Sequence, residues 1–571
     1  MPGIKATVNA VQCSWDAAEV AAGLLGLEGI AAPVSEAPGL PGREEYQRLG
    51  LASRLRPYQR EMVLFLARRA MGVNADPMRS GKTPTTIAAC IAVGAPKVMI
   101  VCPAVARLVW ATEVSKWAGA EALLLCGRGA DEARWFCAPC NGTGRINGER
   151  CQSCKARNGS SYGTRLVSGA DAVAEAVEGA RWLVVNYDLL VPQAAHNEAG
   201  RKLAVDHLPG WASLLERQSG HVVVADEAHM LRGRGDLKRA GDSRRERLVQ
   251  AAKGASRFWA LTGTPLVGRV ADLWGLLDTV TDGLFGRPFF DFDVRYAEGH
   301  KGTYGWVAQG ATNVEELKAR LNVLMWKRTR AELNQFMPPK TRQIVTLDLP
   351  ADGMPRKSPG DTSKGVAAAL RRTAKIKAPA VIEAVTAEMA EGAKVLVFAY
   401  LKKNAEDLAK AIGAACDKAP LKSRNCAVWA VSGATPTDVR FRNAEAFRAH
   451  EGPAAFVATL DSIQVAISLK GAQSVHFADL HYEPAALLQA EDRPYEPGTR
   501  GVTVIYYVVG GSIDQHVVDL VLPKMETLEN VARDAQAGEF AGAFRPAEEA
   551  DLAEAIWARH TEAGEVEDYN D

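Results

Sequence analysis

Runs of wholly apolar residues, rich in β-branched side chains, recur along this chain with helix-spaced stretches between them. The first series is Val98-Met99-Ile100-Val101, Trp182-Leu183-Val184-Val185, Val222-Val223-Val224 and Phe258-Trp259-Ala260-Leu261. A strand that is apolar at every position is buried on both faces, so these runs predict parallel strands covered by helices on each side. A second series follows after a gap: Lys394-Val395-Leu396-Val397-Phe398, Ala427-Val428-Trp429, Ala455-Phe456-Val457-Ala458, Ser474-Val475-His476-Phe477 and Val502-Thr503-Val504-Ile505-Tyr506-Tyr507. Two series predict two α/β domains. The expected organisation is an Ala-, Gly- and Pro-rich extension and linker over residues 1–50 and a first domain over 51–280. An aromatic and basic helical protrusion over 281–345, a second domain over 346–525 and an acid-rich tail over 526–571 complete it.

Composition narrows the class. A chain of 571 residues accommodates three or four domains, or two large ones with insertions. Hydrophobic residues at 47% and charged residues at 24% exclude a disordered or collagenous chain. Lys+Arg 68 against Asp+Glu 67 leaves a net charge of +1, so a polyanion-binding surface must be a local patch. No apolar run is long enough for a membrane span. Asp16, Glu19 and Glu28 interrupt the N-terminal apolar stretch, which argues against a secretion signal. Four of the ten cysteines lie together and the rest are scattered, a distribution that suits a reducing cytoplasm and one metal site.

Chemistry enters at Asp76-Pro77-Met78-Arg79-Ser80-Gly81-Lys82-Thr83, followed by Pro84. The phosphate-loop pattern G-x-x-x-x-G-K-[ST] is met except that Asp76 stands at the first glycine. Gly81 lets backbone N–H groups approach phosphate oxygens, Lys82 reaches the β- and γ-phosphates, and the Thr83 hydroxyl can ligate Mg2+. The following helix aims the positive end of its dipole at the same place. A second signal comes from Val222-Val223-Val224-Ala225, which delivers Asp226-Glu227-Ala228-His229 at a strand's C-terminal edge, where open α/β sheets bind ligands. Asp226 is expected to hold Mg2+ through water, Glu227 to orient or deprotonate the attacking water, and His229 to sense the γ-phosphate. Leu261-Thr262-Gly263-Thr264-Pro265 ends another strand, and the hydroxyls of Thr262 and Thr264 can couple hydrolysis to domain movement.

Cys137-Ala138-Pro139-Cys140 and Cys151-Gln152-Ser153-Cys154 form two C-x-x-C knuckles within an insertion over residues 126–165. Two tight turns, each giving two thiolates, complete a tetrahedron around Zn2+, and full coordination makes the site structural. A redox dithiol is the competing reading, but it needs only one pair. Arg128, Arg134, Arg145, Arg150, Lys155, Arg157 and Arg165 surround the knuckles, leaving two readings open: a DNA-contacting finger, or a stabilised surface insertion. Two further basic clusters, Arg232 to Arg247 and Arg371, Arg372, Lys375 and Lys377, are candidates for phosphate-backbone binding.

Taken in order, these segments resemble superfamily-two helicases, and more narrowly the SWI/SNF-type DNA translocases. Leu55-Arg56-Pro57-Tyr58-Gln59 looks like the family's adenine-reading motif, with Gln59 as the base contact. Asp76 to Thr83 is similar to its D-E-M-G-L-G-K-T, with Arg79 in place of a glycine. Ile100-Val101-Cys102-Pro103-Ala104 with Trp110, Glu113, Lys116 and Trp117 matches the next segment, a DNA-backbone contact, and Val184-Val185-Asn186-Tyr187-Asp188 the one before the acidic motif. Lys327-Arg328-Thr329-Arg330 with Met337-Pro338-Pro339-Lys340 is similar to the inter-lobe brace. Leu396-Val397-Phe398-Ala399, Ser432-Gly433 and Thr459 fit the second lobe, and Gln489-Ala490-Glu491-Asp492-Arg493 the start of its last motif. Phe289 to Tyr296, followed by Asn313-Val314-Glu315-Glu316-Leu317, is similar to the annealing-helicase branch.

The resemblance implies two RecA-like lobes with parallel sheets, a helical inter-lobe insertion and a small zinc-knuckle insertion in lobe 1. It implies ATP bound between the lobes, Gln489 as a coupling residue and Arg493 as the transition-state arginine. Ala466 stands at a usual glycine. Glu496 stands where the family's second arginine is spaced, with Arg500 nearby as a substitute. The resulting expectation is an ATP-dependent DNA translocase or helicase acting on double-stranded or branched DNA, with no membrane association, in the cytoplasm of a bacterial or phage-infected cell. The rivals are an RNA helicase, a restriction-system motor and a DNA-binding clamp with an inactive ATPase.

Overall fold

The computed structural model describes residues 40–530 except 127–129, 138, 141–144, 147–148, 153–163, 192–193, 197–201, 208–210, 232–243, 264–269, 282–284, 286–288, 303–304, 309, 334–339, 350–361, 464–467, 481–483 and 496–500. The chain divides into two compact units between Thr329 and Arg330.

The first unit is built on a nine-stranded sheet. Its strands are β1 (Met71–Asn74), β2 (Val98–Cys102), β3 (Ala122–Cys126), β4 (Glu132–Phe136), β5 (Thr164–Ser168), β6 (Trp182–Asn186), β7 (Val222–Asp226), β8 (Arg257–Leu261) and β9 (Met325–Trp326). They lie in the order β9-β1-β8-β7-β2-β6-β3-β4-β5. Strands β9 through β3 in this order pair in parallel. The central strands β2 and β6 are buried at every position, which is why their sequences are apolar without alternation. Strands β4 and β5 run antiparallel at one edge and keep exposed positions, so they carry no continuous apolar run.

Three helices matter for the site. Helix α1 (Pro57–Ala67) opens with proline, whose missing N–H costs nothing at a first helical position, and Gln59 Oε1 accepts the Arg56 N–H at 3.0 Å. Helix α2 (Lys82–Ala92) starts from Gly81 in the left-handed region, and α3 (Arg107–Ala118) ends on left-handed Gly119. The segment 281–345 combines helices Phe289–Tyr296 and Val314–Leu324 with a hairpin of His300–Gly302 and Gly305–Val307. Buried Asp293 accepts the Trp306 indole N–H at 2.8 Å, and Glu316 accepts the Tyr296 hydroxyl at 2.8 Å, so polar bonds join hairpin and helices. The same segment ends as strands: β9 pairs with β1, and Lys340–Leu347 belongs to the second unit's sheet.

The second unit has six parallel strands: β10 (Lys340–Leu347), β11 (Lys394–Ala399), β12 (Ala427–Val431), β13 (Ala454–Thr459), β14 (Ser474–Phe477) and β15 (Val502–Val509). Their order is β10-β15-β14-β11-β13-β12. Alternate residues of one strand feed opposite cores: Leu396 and Phe398 pack with Phe456 and Phe477, whereas Val395 and Val397 pack with Val381, Val385, Leu408 and Ile412. Those last four come from helices α4 (Thr362–Ala390) and α5 (Lys402–Cys416). Helices α6 (Pro484–Glu491) and α7 (Ile513–Asn530) also belong to the unit. Among the described residues, no helix is long and apolar enough to cross a membrane.

Candidate nucleotide site and thiol cluster

The loop from β1 to α2 needs two left-handed residues, Arg79 at φ +64° and Gly81 at φ +84°. Left-handed φ favours glycine, so the glycine that the resembled motif carries at the Arg79 position has a conformational reason. Gly81 has a steric one too, since a Cβ there would sit 2.2 Å from Gln59 Nε2. The Ser80 carbonyl accepts two bonds from α1, one from Tyr58 Oη and one from Gln59 Nε2, both at 2.9 Å. Lys82 Nζ lies in the loop's own cradle, donating to the carbonyls of Asp76 at 2.9 Å and Pro77 at 3.1 Å. Buried Ser80 Oγ has no hydrogen-bond partner among the described residues. These donors, and the N-terminus of α2, fit a phosphate group.

Strand β7 brings the carboxylates alongside. Trp110 Nε1 donates to Asp226 Oδ2 at 2.7 Å, and the Glu227 N–H donates to Asp226 Oδ1 at 3.0 Å. Tyr187 Oη donates to the Asp226 carbonyl at 2.7 Å. Loss of solvent, then the neighbouring Glu227 carboxylate, pushes Asp226 up to about 6, while the Trp110 bond and the Lys82 ammonium pull it back. Glu227 itself is left-handed at φ +49°, a strained conformation for a side chain of its size. His229 Nδ1 lies 3.3 Å from Glu227 Oε2 and 3.2 Å from Thr262 Oγ1, joining the ends of β7 and β8. A Cβ on Gly263 would meet Met78 Cγ at 2.7 Å and Lys82 Nζ at 3.4 Å, so this turn packs directly on the phosphate loop. Gln59, Met78, Ser80, Gly81, Lys82, Asp226, Glu227, His229 and Thr262 therefore gather at one end of the first sheet. Thr83 and Pro84 occupy the first turn of α2, and Thr264 lies outside the described residues.

Trp110 was visible in the sequence only as part of a segment linked to DNA contact. The structure turns it inward, 1% exposed, as the hydrogen-bond donor that holds Asp226. Its neighbour Trp117 faces elsewhere, bonded to Glu113 at 2.8 Å with the Arg54 guanidinium 4.3 Å from its ring.

In the second unit, Gln489, Glu491, Asp492 and Arg493 are all buried. Glu491 anchors the segment to edge strand β10: Oε1 accepts from Arg342 Nε and Tyr506 Oη, both at 2.7 Å, and Oε2 from Lys340 Nζ at 2.8 Å. Lys340 Nζ also meets Asp492 Oδ1 at 2.9 Å. Loss of solvent alone would raise the Glu491 carboxyl, but Lys340 and Arg342 outweigh it and hold the group below the ordinary range. Ala466, Glu496 and Arg500 lie outside the described residues.

The thiols of Cys137, Cys140 and Cys151 are buried and lie within 4.8 Å of one another. Cys137 directly follows β4, and its sulfur is 3.8 Å from that of Cys151. Cys154 lies outside the described residues. Three buried sulfurs at this spacing can hold one metal ion.

The basic clusters separate by environment. Arg244 binds Asp188, Arg245 binds buried Asp278 and lies over Trp274, and Arg247 donates to Gln250 at 2.8 Å. In the insertion, Arg134 pairs with Glu132 and Arg165 with Glu121. Lys377 corrects the reading of its cluster: it is 1% exposed and pairs with buried Asp514 at 2.8 Å, so it is a core cation. Linear charge does not say which side of a helix faces solvent.

A profile of the SNF2-related domain matches residues 58–354, just over half of the chain, and one of the helicase conserved C-terminal domain matches residues 377–498. The chain belongs to the SNF2-related family. Within it, this SNF2-related chain is 24% identical over 502 residues to the "SWI/SNF-related matrix-associated actin-dependent regulator of chromatin subfamily A-like protein 1" of Xenopus tropicalis, covering 84% of the chain and 45% of the relative. The Drosophila melanogaster protein of that name is 29% identical over 335 residues, 56% and 42% of the respective lengths. The "DNA annealing helicase and endonuclease ZRANB3" of Mus musculus is 26% identical over 323 residues, 52% and 29%. The SNF2-related chain thus spans less than half the length of each of these relatives.

Proposed function

We propose that this chain is a DNA-dependent ATPase that converts ATP hydrolysis into movement along duplex DNA, with forked or branched DNA as its preferred form. The observation that carries the reading is the meeting of two strand ends: Lys82 cradled by phosphate-loop carbonyls, and Asp226 beside it, oriented by Trp110. In this reading Lys82 and the α2 N-terminus bind the phosphates of ATP, and Asp226 with Thr83 holds Mg2+, which neutralises phosphate charge. Glu227 orients the attacking water, and His229 and Thr262 report the state of the γ-phosphate. Gln59 is the base contact, and Gln489 and Arg493 serve the same cycle from the second unit. The branched-DNA preference draws on relatives whose names include an annealing helicase.

The thiol cluster belongs to the same reading as a structural Zn2+ site, with Cys154 as the fourth ligand. Buried Cys137, Cys140 and Cys151 support it, because three sulfurs left together in a core are otherwise poorly explained.

The test is phosphate release measured without nucleic acid and with duplex DNA, forked DNA and RNA. The proposal expects stimulation by DNA, largest with the fork, and little by RNA. Equal rates in all four would refute it.

A further inference from the structure

Asp76 is the residue that stands where a standard phosphate loop has its first glycine, and it is 2% exposed. A buried carboxylate must find a countercharge. It finds one 252 residues away. Arg328 Nε donates to Asp76 Oδ1 at 3.1 Å and Nη2 to Oδ2 at 2.9 Å, a two-pronged pairing, and the Arg328 backbone N–H adds a third bond to Oδ1 at 3.2 Å. The remaining nitrogen, Nη1, donates to the Tyr58 carbonyl at 2.7 Å and Glu61 Oε2 at 3.2 Å. The guanidinium also lies 5.2 Å from the Tyr58 ring and 5.6 Å from the Trp326 ring.

Two of these contacts, Asp76 and Tyr58, lead to the nucleotide loop. The backbone carbonyl of Asp76 is one of the two that receive Lys82 Nζ, and Tyr58 holds the Ser80 carbonyl. Arg328 arrives there because β9 pairs in parallel with β1, setting Trp326 beside Asn74 just before the loop begins. Lys82 also acts electrostatically on Asp76. Without Arg328, a buried carboxylate would compete with phosphate for the Lys82 ammonium.

We propose that Arg328 is a positioning residue for Lys82: by occupying both oxygens of Asp76 it fixes the carbonyl cradle and leaves the lysine directed to phosphate. This rests on the reading of Lys82 as the phosphate-binding lysine. Arginine is required for its fork, since a lysine at 328 reaches one oxygen at a time.

The experiment measures binding of a fluorescent ADP analogue with Mg2+ to the full chain and to Arg328→Gln, Arg328→Lys, Lys82→Ala and the Lys82→Ala/Arg328→Gln double variant. Arg328→Gln should weaken binding at least tenfold, and Arg328→Lys should recover part of the loss. In the Lys82→Ala background Arg328→Gln should add less than twofold, because its effect passes through the lysine. Should Arg328→Gln fail to fold, the Lys substitution carries the same comparison in both backgrounds. Unchanged affinity in the Arg328 variants, or an equal loss with and without Lys82, would overturn the proposal. A wild-type chain that binds no nucleotide would instead refute the ATPase reading beneath it.

Discussion

The Trp110 indole donates to Asp226 across 116 residues of sequence, at 2.7 Å, and this bond opposes the rise of the Asp226 pKa. This places a buried aromatic residue behind the carboxylate proposed to hold Mg2+. Orienting partners of this kind typically change metal affinity or activity by about 10- to 100-fold when lost.

Trp110→Phe keeps an aromatic ring, smaller than the indole, and removes the donor. The Mg2+ concentration for half-maximal ATP turnover should rise by about tenfold. A Mg2+ titration of phosphate release checks this, and an unshifted midpoint would show that the bond does not tune the site.

Glu491 gives the second unit a defined acid sensitivity. Its carboxyl is held below the ordinary glutamate value by Lys340 and Arg342 despite burial. A depressed pKa means that the folded state binds its proton less readily than the unfolded one. The stabilisation is therefore present above the unfolded value and lost as pH falls through the folded one. Glu491→Gln removes the charge facing half-buried Arg342 and one of the two carboxylates paired with Lys340, which keeps Asp492, and should destabilise at pH 7 by about 2 kcal/mol. The gap between variant and parent should close below the ordinary glutamate range. Denaturant melts taken stepwise from pH 7 to well below pH 4 measure it, and a gap that widens on acidification would contradict the assignment.

The thiol cluster predicts a metal-dependent edge of the first sheet. The purified chain should carry about one Zn2+ per molecule, and Cys151→Ser should lose it. Because metal binding energy at such a site is folding energy, removal should raise hydrogen exchange in Glu132–Phe136, which ends directly at Cys137. Elemental analysis with exchange mass spectrometry tests both. A metal-free chain with a protected β4 would refute the site.

Much of this was legible in the sequence because the inner strands have no solvent face. Val222-Val223-Val224 and Val457-Ala458 can only be apolar, and their runs mark the two sheets. Strands β4 and β5 escape because each keeps exposed positions, including Leu166 at 55% exposure, and β9 because two residues make no pattern. The loop chemistry around Lys82 and the paired carboxylates were readable because each is local. Trp110 with Asp226 and Arg328 with Asp76 were not, since only the strand order joins residues so far apart. Lys377 misled for the same reason: its partner, Asp514, sits on a different helix.

The central claim is that hydrolysis at Lys82, Asp226 and Glu227 drives motion on DNA, and strand displacement from a DNA triplex tests it most directly. The wild-type chain should displace the third strand with ATP and fail with a non-hydrolysable analogue. Glu227→Gln should bind ATP and displace nothing. Displacement that persists in Glu227→Gln, or a wild-type chain that hydrolyses ATP on duplex DNA and never clears the triplex, would contradict the account.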